Sequence, residues 1–250
     1  MPRIITFTSP KGGCGSSFVC ASLWYILTNC NEKVMALDMC YEKCTLDYAL
    51  GFQNDYVYTL SDVIAGSCSL EEAVSYSGNS CFLRSDYEQN GMDYDIAAQL
   101  LRESDYDYIL IDMPPFSGDI AGGILSFSDE LIIVSDCTAV SAKLCDSFLN
   151  DIGSVKARLV INKIIPSYIK AGIHLTVDEL LDMLGIELLG LAPYDECVEI
   201  ILKNGVSQGL EVELFREVFG NMALRLTGER IPAADIASKK PRNFLVKGRE

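Results

Sequence analysis

Six short apolar runs rich in β-branched residues punctuate the chain, at Arg3 to Thr8, Val34 to Asp38, Asp107 to Asp112, Glu130 to Ser135, Ala157 to Asn162 and Glu187 to Leu191. Longer segments with helical spacing lie between them, a pattern that predicts a parallel sheet wrapped by helices. The runs "YILID" and "LIIVS" are apolar nearly throughout instead of alternating, as strands must be when helices cover both sheet faces. Ser69 with Glu72 and Thr176 with Glu179 fit capping boxes and mark two helix starts. From Tyr76 to Asp95, Gly78, Asn79, Asn90 and Gly91 break the pattern into loops around one short strand near Cys81 to Arg84. Ligands of such sheets sit beyond the carboxyl ends of the strands, so the loops after strands are the place to seek chemistry.

Composition narrows the picture. With 250 residues, 49% of them hydrophobic, the chain suits a single α/β domain, read here as residues 1–235, followed by a basic flexible tail, 236–250. No uncharged apolar run is long enough to span a bilayer, and "MPRIITFTSPKGG" passes straight into strand and loop with no basic leader or cleavage site; a cytoplasmic protein is expected. The ten cysteines include no CxxC pair and mostly sit in apolar segments, as small reduced hydrophobes do. A formal charge of −15 repels a nucleic-acid backbone, which argues against DNA or RNA as a partner of the body. Only at the end does the sign reverse, in "KKPRNFLVKGRE" with five basic residues against one acid.

"TSPKGGCGSS", Thr8 to Ser17, lies between the first strand and a helix from about Ser16 to Asn29. This is the order a phosphate loop requires: glycines let backbone amides converge, and the helix start adds positive potential. "YDYILIDMPP" puts Asp112 at the end of a buried strand, where an acid holds Mg²⁺ directly or through water, and Ser17 supplies a hydroxyl ligand.

These residues resemble the deviant Walker A ATPases of the MinD/ParA family, most closely its MinD side, over nearly the whole chain. "SPKGGCGSS" is similar to the family's KGGxGK[ST], with Lys11 at the signature lysine; "ALDMCYEKCTLDYALG" resembles the following DxD segment and its NLDxxLG ending. "VYTLSDVIAGSCSLEEAV" looks like the helical hairpin after it, "IDMPP" like the Walker B and switch II entry, and "VINK" with "GIELLGLAPYDECV" like the adenine-side strand and loop. The resemblance implies a three-layer P-loop NTPase of the SIMIBI type and an ATP- and Mg²⁺-dependent homodimer whose signature lysines reach across to the partner's nucleotide. Lys11, Gly12, Gly13, Cys14, Gly15, Ser16 and Ser17 would hold phosphates, Asn162 with Lys163 and the loop Pro193 to Asp195 would meet the adenine, and Ser17, Asp38 and Asp112 would organise Mg²⁺ and water. Lys11, Asp38 and Asp112 would carry the catalysis.

Two positions depart from that pattern. Ser16 stands where the family has its second P-loop lysine, and Cys40 replaces the second acid of DxD. A charged hydrogen bond contributes roughly 1.5–3 kcal/mol, so losing the lysine weakens nucleotide binding by about ten- to a few hundred-fold. Hydrolysis suffers more, because a comparable cation supplies on the order of 10³–10⁵ in rate. Lys11 in trans, Lys43 or Lys163 could restore part of that charge. Three outcomes stay open: a nucleotide-responsive dimerising regulator of division or positioning with impaired hydrolysis, a pseudo-ATPase adaptor that binds a partner protein regardless of nucleotide, and a ParA-like DNA segregator, which the acidic charge disfavours.

By the same alignment Cys14, Cys40 and Cys44 approach the phosphate pocket, as a redox or metal site or as small buried residues. His174, the one histidine, has no evident nucleophile beside it and reads as a surface residue. Proteins on the MinD side of the family end in an amphipathic helix that binds anionic membrane; here Phe244, Leu245 and Val246 lie between Lys240, Arg242, Lys247 and Arg249, interrupted by Pro241. So short a segment would bind the inner face of a membrane weakly, and two tails in a dimer would gain by avidity.

Overall fold

The apolar runs become the strands they predict, in an eight-stranded sheet. The computed structural model describes residues 1–40, 45–52, 56–78, 80–86, 92–116, 118–196, 198, 205–209 and 212–233. Its strands are β1 (Arg3–Thr8), β2 (Val34–Asp38), β3 (Ser75–Ser77), β4 (Ser80–Arg84), β5 (Tyr108–Asp112), β6 (Glu130–Ser135), β7 (Lys156–Ile164) and β8 (Glu187–Pro193). They order as β3-β4-β2-β5-β1-β6-β7-β8, all parallel except β3, which pairs antiparallel with β4. The loops at Lys43, Cys44 and the tail 234–250 lie outside the described residues.

The helices are α1 (Ser16–Asn29), α2 (Leu46–Leu50), α3 (Leu60–Ile64), α4 (Leu70–Ala73), α5 (Tyr94–Glu103), α6 (Gly118–Leu125), α7 (Ala139–Leu149), α8 (Pro166–Lys170), α9 (Val177–Leu184), α10 (Val206–Gly209) and α11 (Glu213–Leu226). Alternate strand residues feed two separate cores. Ile5, Phe7, Ile132 and Val134 pack with Phe18 and Leu23 of α1 and Phe215 and Phe219 of α11. Ile4, Leu131 and Ile133 pack on the other face with Leu101 of α5, Phe148 of α7 and Leu180 of α9. Three layers therefore bury the central strands on both sides, which is why their sequences do not alternate.

Helix α1 lies deepest. Nine of its residues are buried, and the Trp24 indole donates to the carbonyls of Val34 (3.1 Å) and Cys81 (3.3 Å), so its buried N–H is satisfied. At the amino ends of the strands, the nearly fully buried Glu130 accepts from Arg3 and Arg158, tying β1, β6 and β7 together. The opposite edge, at the carboxyl ends, is left for a site.

Both expected capping boxes form, at Ser69/Glu72 and Thr176/Glu179. Strand β3 carries no apolar signal, because "SYS" is an edge strand that turns back through Gly78 at φ 61°. His174 is half-buried, edge-on to Tyr168 with ring centroids 5.1 Å apart. Among the described cysteines, Cys14, Cys20, Cys81, Cys137 and Cys145 are buried and unbridged, and burial pushes the Cys81 and Cys145 thiols up to about 12; such thiols are protonated and inert.

Candidate functional site

Strand β1 ends at Thr8, the loop Ser9–Gly15 follows, and α1 begins at Ser16. Gly13 and Gly15 take left-handed backbone, φ 86° and 95°, which lets successive amides turn toward one side. Space also matters at Gly15: a Cβ there would stand 2.4 Å from the Asn162 amide nitrogen, whereas one at Gly12 would meet nothing within 4 Å. The first turn of α1 has neither a side-chain cap nor an acid, so its amides and the positive end of its dipole are available to an anion.

Strand β7 braces this loop. The buried Asn162 donates its amide N–H to the Cys14 carbonyl (2.8 Å), and Lys163 donates from Nζ to the Gly13 carbonyl (2.7 Å). Neighbouring strand side chains normally point to opposite faces. Lys163 escapes that rule through its own left-handed backbone, φ 57°, within a register irregularity between β7 and β8. Pro193 is the register partner of Ile164, and the Tyr194 amide donates to the Ile164 carbonyl (2.9 Å), so Pro193 to Asp195 lies beside Asn162 and Lys163. Tyr194, inside the loop Pro193 to Asp195 expected from the sequence, is 53% exposed there.

On the other flank, Asp38 of β2 and Asp112 of β5 are register partners and both are buried. Ser16 donates to Asp112 Oδ1 (3.0 Å), and Thr45 donates to Ser17 Oγ (3.2 Å). Asp38 accepts from the amides of Cys40 (2.8 Å) and Leu46 (3.4 Å), and the Cys40 sulfur lies 4.0 Å from Asp112 Oδ2. Burial pushes Asp38 up to about 7, helped by the charge of Asp112 and opposed by those two amides. Burial also pushes Asp112 up to about 6 against the hydroxyls of Ser17 and Ser16. The pair thus favours protons or a cation over two bare charges.

Lys11 does not point outward. Its ammonium donates within its own chain to Asp136 Oδ2 (2.8 Å), Thr138 Oγ1 (3.0 Å) and Ser141 Oγ (2.6 Å). These three partners, at the start of α7, were missed from the sequence. Asp136 directly follows β6, the neighbour of β1, and the rule that ligands gather at carboxyl ends of strands could have found it. Burial pushes Asp136 up, but hydrogen bonds from Lys11, Ser141 and Thr138 outweigh it and hold the carboxyl down at about 2. Its folded value lies below the unfolded one of about 3.9. The contact therefore stabilises fully above about pH 4, and that stabilisation disappears as pH falls toward about 2. With Lys11 more than a third exposed, it is worth about 1 kcal/mol or less. Asp136→Asn is expected to melt about 2–4 °C lower than wild type near neutrality, with the gap closing between about pH 4 and pH 2 in thermal unfolding.

A family model described as an AAA domain matches residues 2–166. The septum site-determining protein MinD of Synechocystis sp. is 30% identical over 94% of this chain and 93% of its own length. The chain belongs to the MinD/ParA family of P-loop ATPases. Solved structures of that family share its fold. The chain matches the MinC:MinD cell division protein complex of Aquifex aeolicus with TM-score 0.84 at 24% identity, covering 93% of this chain and 98% of the other. MinD of Pyrococcus horikoshii, complexed with Mg-ADP, gives 0.77 at 23% identity, covering 92% and 100%.

For a MinD/ParA protein, the donor set here suits a nucleotide with its metal in part. The loop amides and the uncapped start of α1 could hold phosphates, and Ser17, Asp38 and Asp112 offer the hard oxygens that Mg²⁺ takes. Ser16 brings a hydroxyl, not a charge, to the loop, and Cys40 brings sulfur to the metal side. Among the described residues no helix is long and apolar enough to cross a membrane.

Proposed function

We propose that this chain is a MinD-like regulator of cell division that binds ATP or ADP with Mg²⁺, pairs with a second copy in the nucleotide-bound state, and hydrolyses ATP poorly or not at all. One observation carries the reading: the phosphate loop keeps its backbone, with left-handed Gly13 and Gly15 leading into an uncapped helix, while Ser16 in the lysine position is engaged by Asp112. Binding rests on the amides, which are kept; transition-state charge stabilisation rests on the cation, which is lost.

The remaining residues take their roles from this geometry. Asn162 and Lys163 hold the loop in shape, and Tyr194 offers its ring to the base. Asp38 and Asp112 orient water. Ser17, Asp38 and Asp112 would hold Mg²⁺, which would offset the charge of the phosphates. Lys11 must leave Asp136 before it can reach a partner's nucleotide, so the intrachain contact opposes pairing. The Aquifex MinD is in complex with MinC, which supports a partner protein for this chain. The protein would work in the cytosol, with the basic tail meeting the inner face of the membrane weakly.

The adaptor reading draws on the contacts of Ser16 with Asp112 and Lys163 with Gly13, which satisfy the loop from within the chain. Isothermal titration with ATP and Mg²⁺ separates the two: heat at micromolar concentrations supports the regulator, and none up to millimolar ATP supports the adaptor. In sedimentation velocity with ATP, Lys11→Ala is expected to stay monomeric and Asp136→Asn to dimerise up to about 30-fold more tightly, given about 1 kcal/mol or less released in each of the two protomers. A weaker Asp136→Asn dimer contradicts the latch.

A further inference from the structure

Asp38, Cys40 and Asp112 bring one ligand atom each to within 4.8 Å of one another. The backbone fixes two of them, since Asp38 and Asp112 are register partners at the ends of adjacent strands. Cys40 follows two residues later, its amide bonded to Asp38 Oδ1 and its sulfur 4.0 Å from Asp112 Oδ2. Donors around a tetrahedral ion at 2.0–2.3 Å stand about 3.3–3.7 Å apart, so a contraction of about 1 Å closes the set.

The charge balance argues for a cation. Both carboxylates are buried, and the ion pairs among the described residues all involve other acids: Asp105, Asp129, Asp136, Glu130 and Glu187. Ser16, in the position of the family's lysine, gives Asp112 a hydrogen bond without a charge. Buried carboxylates without a counter-charge are costly. The donor chemistry then selects the ion. Mg²⁺ prefers oxygen alone and sheds its waters reluctantly, whereas two carboxylates with a thiolate suit Zn²⁺ and its softer congeners.

We propose that Asp38, Cys40 and Asp112 bind a thiophilic divalent cation of the Zn²⁺ class in the absence of nucleotide, with water in the fourth position. Binding ionises the Cys40 thiol and displaces any proton held by the Asp38–Asp112 pair, and these protons leave to solvent. Replacing the second acid of the family pattern by cysteine has thus changed which metal the strand ends favour. The site shares residues with the nucleotide reading but is tested without nucleotide, so either can fail alone.

The test uses the reduced, nucleotide-free, chelator-treated full chain titrated with Cd²⁺, following the ultraviolet thiolate-to-cadmium charge-transfer band, with Zn²⁺ and then excess Mg²⁺ as competitors. One tight equivalent is expected, displaced by Zn²⁺ and not by Mg²⁺. Cys40→Ser should lose it, and Asp112→Asn should weaken it by more than the roughly 10–100-fold typical of losing an outer-shell partner. Cys30→Ser, at an exposed thiol, should match wild type. Cys40→Asp should turn the preference toward Mn²⁺ and Mg²⁺. An unchanged band in Cys40→Ser, or ready displacement by Mg²⁺, overturns the proposal. Cadmium NMR of wild type decides the matter without variants: a shift typical of one sulfur with oxygens supports the site, and no sulfur or several overturns it.

Discussion

The double variant Ser16→Lys, Cys40→Asp is expected to hydrolyse ATP on the order of 10³–10⁵ faster than wild type, and to bind it about ten- to a few hundred-fold more tightly. The binding gain is that of one charge-assisted hydrogen bond, roughly 1.5–3 kcal/mol. The rate gain is larger because a cation beside the phosphates meets charge that grows in the transition state, and comparable groups supply on the order of 10³–10⁵. The structure adds an order of events. Ser16 opens α1 and already touches Asp112, so a lysine there begins its path beside a carboxylate that balances its charge. Cys40→Asp alone does the reverse, placing a third acid next to two buried ones, and should destabilise the nucleotide-free protein. The two substitutions therefore act non-additively, with Ser16→Lys rescuing Cys40→Asp. Steady-state phosphate release, calorimetry and thermal unfolding of the four proteins read all three effects. If lysine at position 16 leaves both affinity and turnover unchanged, the explanation of the divergence from the family is wrong.

Much of the architecture was legible because the buried strands announce themselves. The boundaries of β1, β2, β6 and α1 match the apolar pattern. The pattern fails where burial does not decide: β3 is polar and mostly exposed, and β7 runs on through Asn162 and Lys163, whose polar side chains end the apolar run while the backbone stays in the sheet. A third capping box, Thr59 with Asp62, was not foreseen, since the shorter carboxylate is not the expected Glu or Gln. In the site, one flank was readable as motifs: the loop, Asp38 and Asp112. What motifs could not show is where side chains go when several partners compete. Lys11 lies on Asp136, Thr138 and Ser141, and Asn162 and Lys163 reach the loop's carbonyls. Those contacts join segments distant in sequence, and the Lys163 contact is made from a left-handed residue that composition does not mark.

The three glycines of the phosphate loop should not be equivalent, and Gly15→Ala is expected to be the most damaging single change in it. Alanine at φ 95° costs about 1–2 kcal/mol in backbone strain. Its Cβ would also stand 2.4 Å from the Asn162 amide nitrogen. Asn162 cannot retreat freely, since it is buried and donates to the Cys14 carbonyl, so either that bond breaks, at about 1 kcal/mol, or the loop moves. The sum is about 2–3 kcal/mol, roughly 4–12 °C in melting temperature for a chain of this size. A displaced loop also misaims the amides proposed to hold phosphate, so ATP affinity should fall at least about 100-fold, equivalent to about 2.7 kcal/mol. Gly13→Ala has strain without the clash, φ 86° with nothing within 4 Å, and should lose about half as much stability; Gly12→Ala, with neither, should be tolerated. Removing the obstacle with Asn162→Ala should make the Gly15→Ala penalty smaller than in wild type, because the two residues then no longer collide. Equal losses at Gly12 and Gly15 would mean that the loop is held by something other than the β7 brace, and the geometry assigned to the site would have to be abandoned.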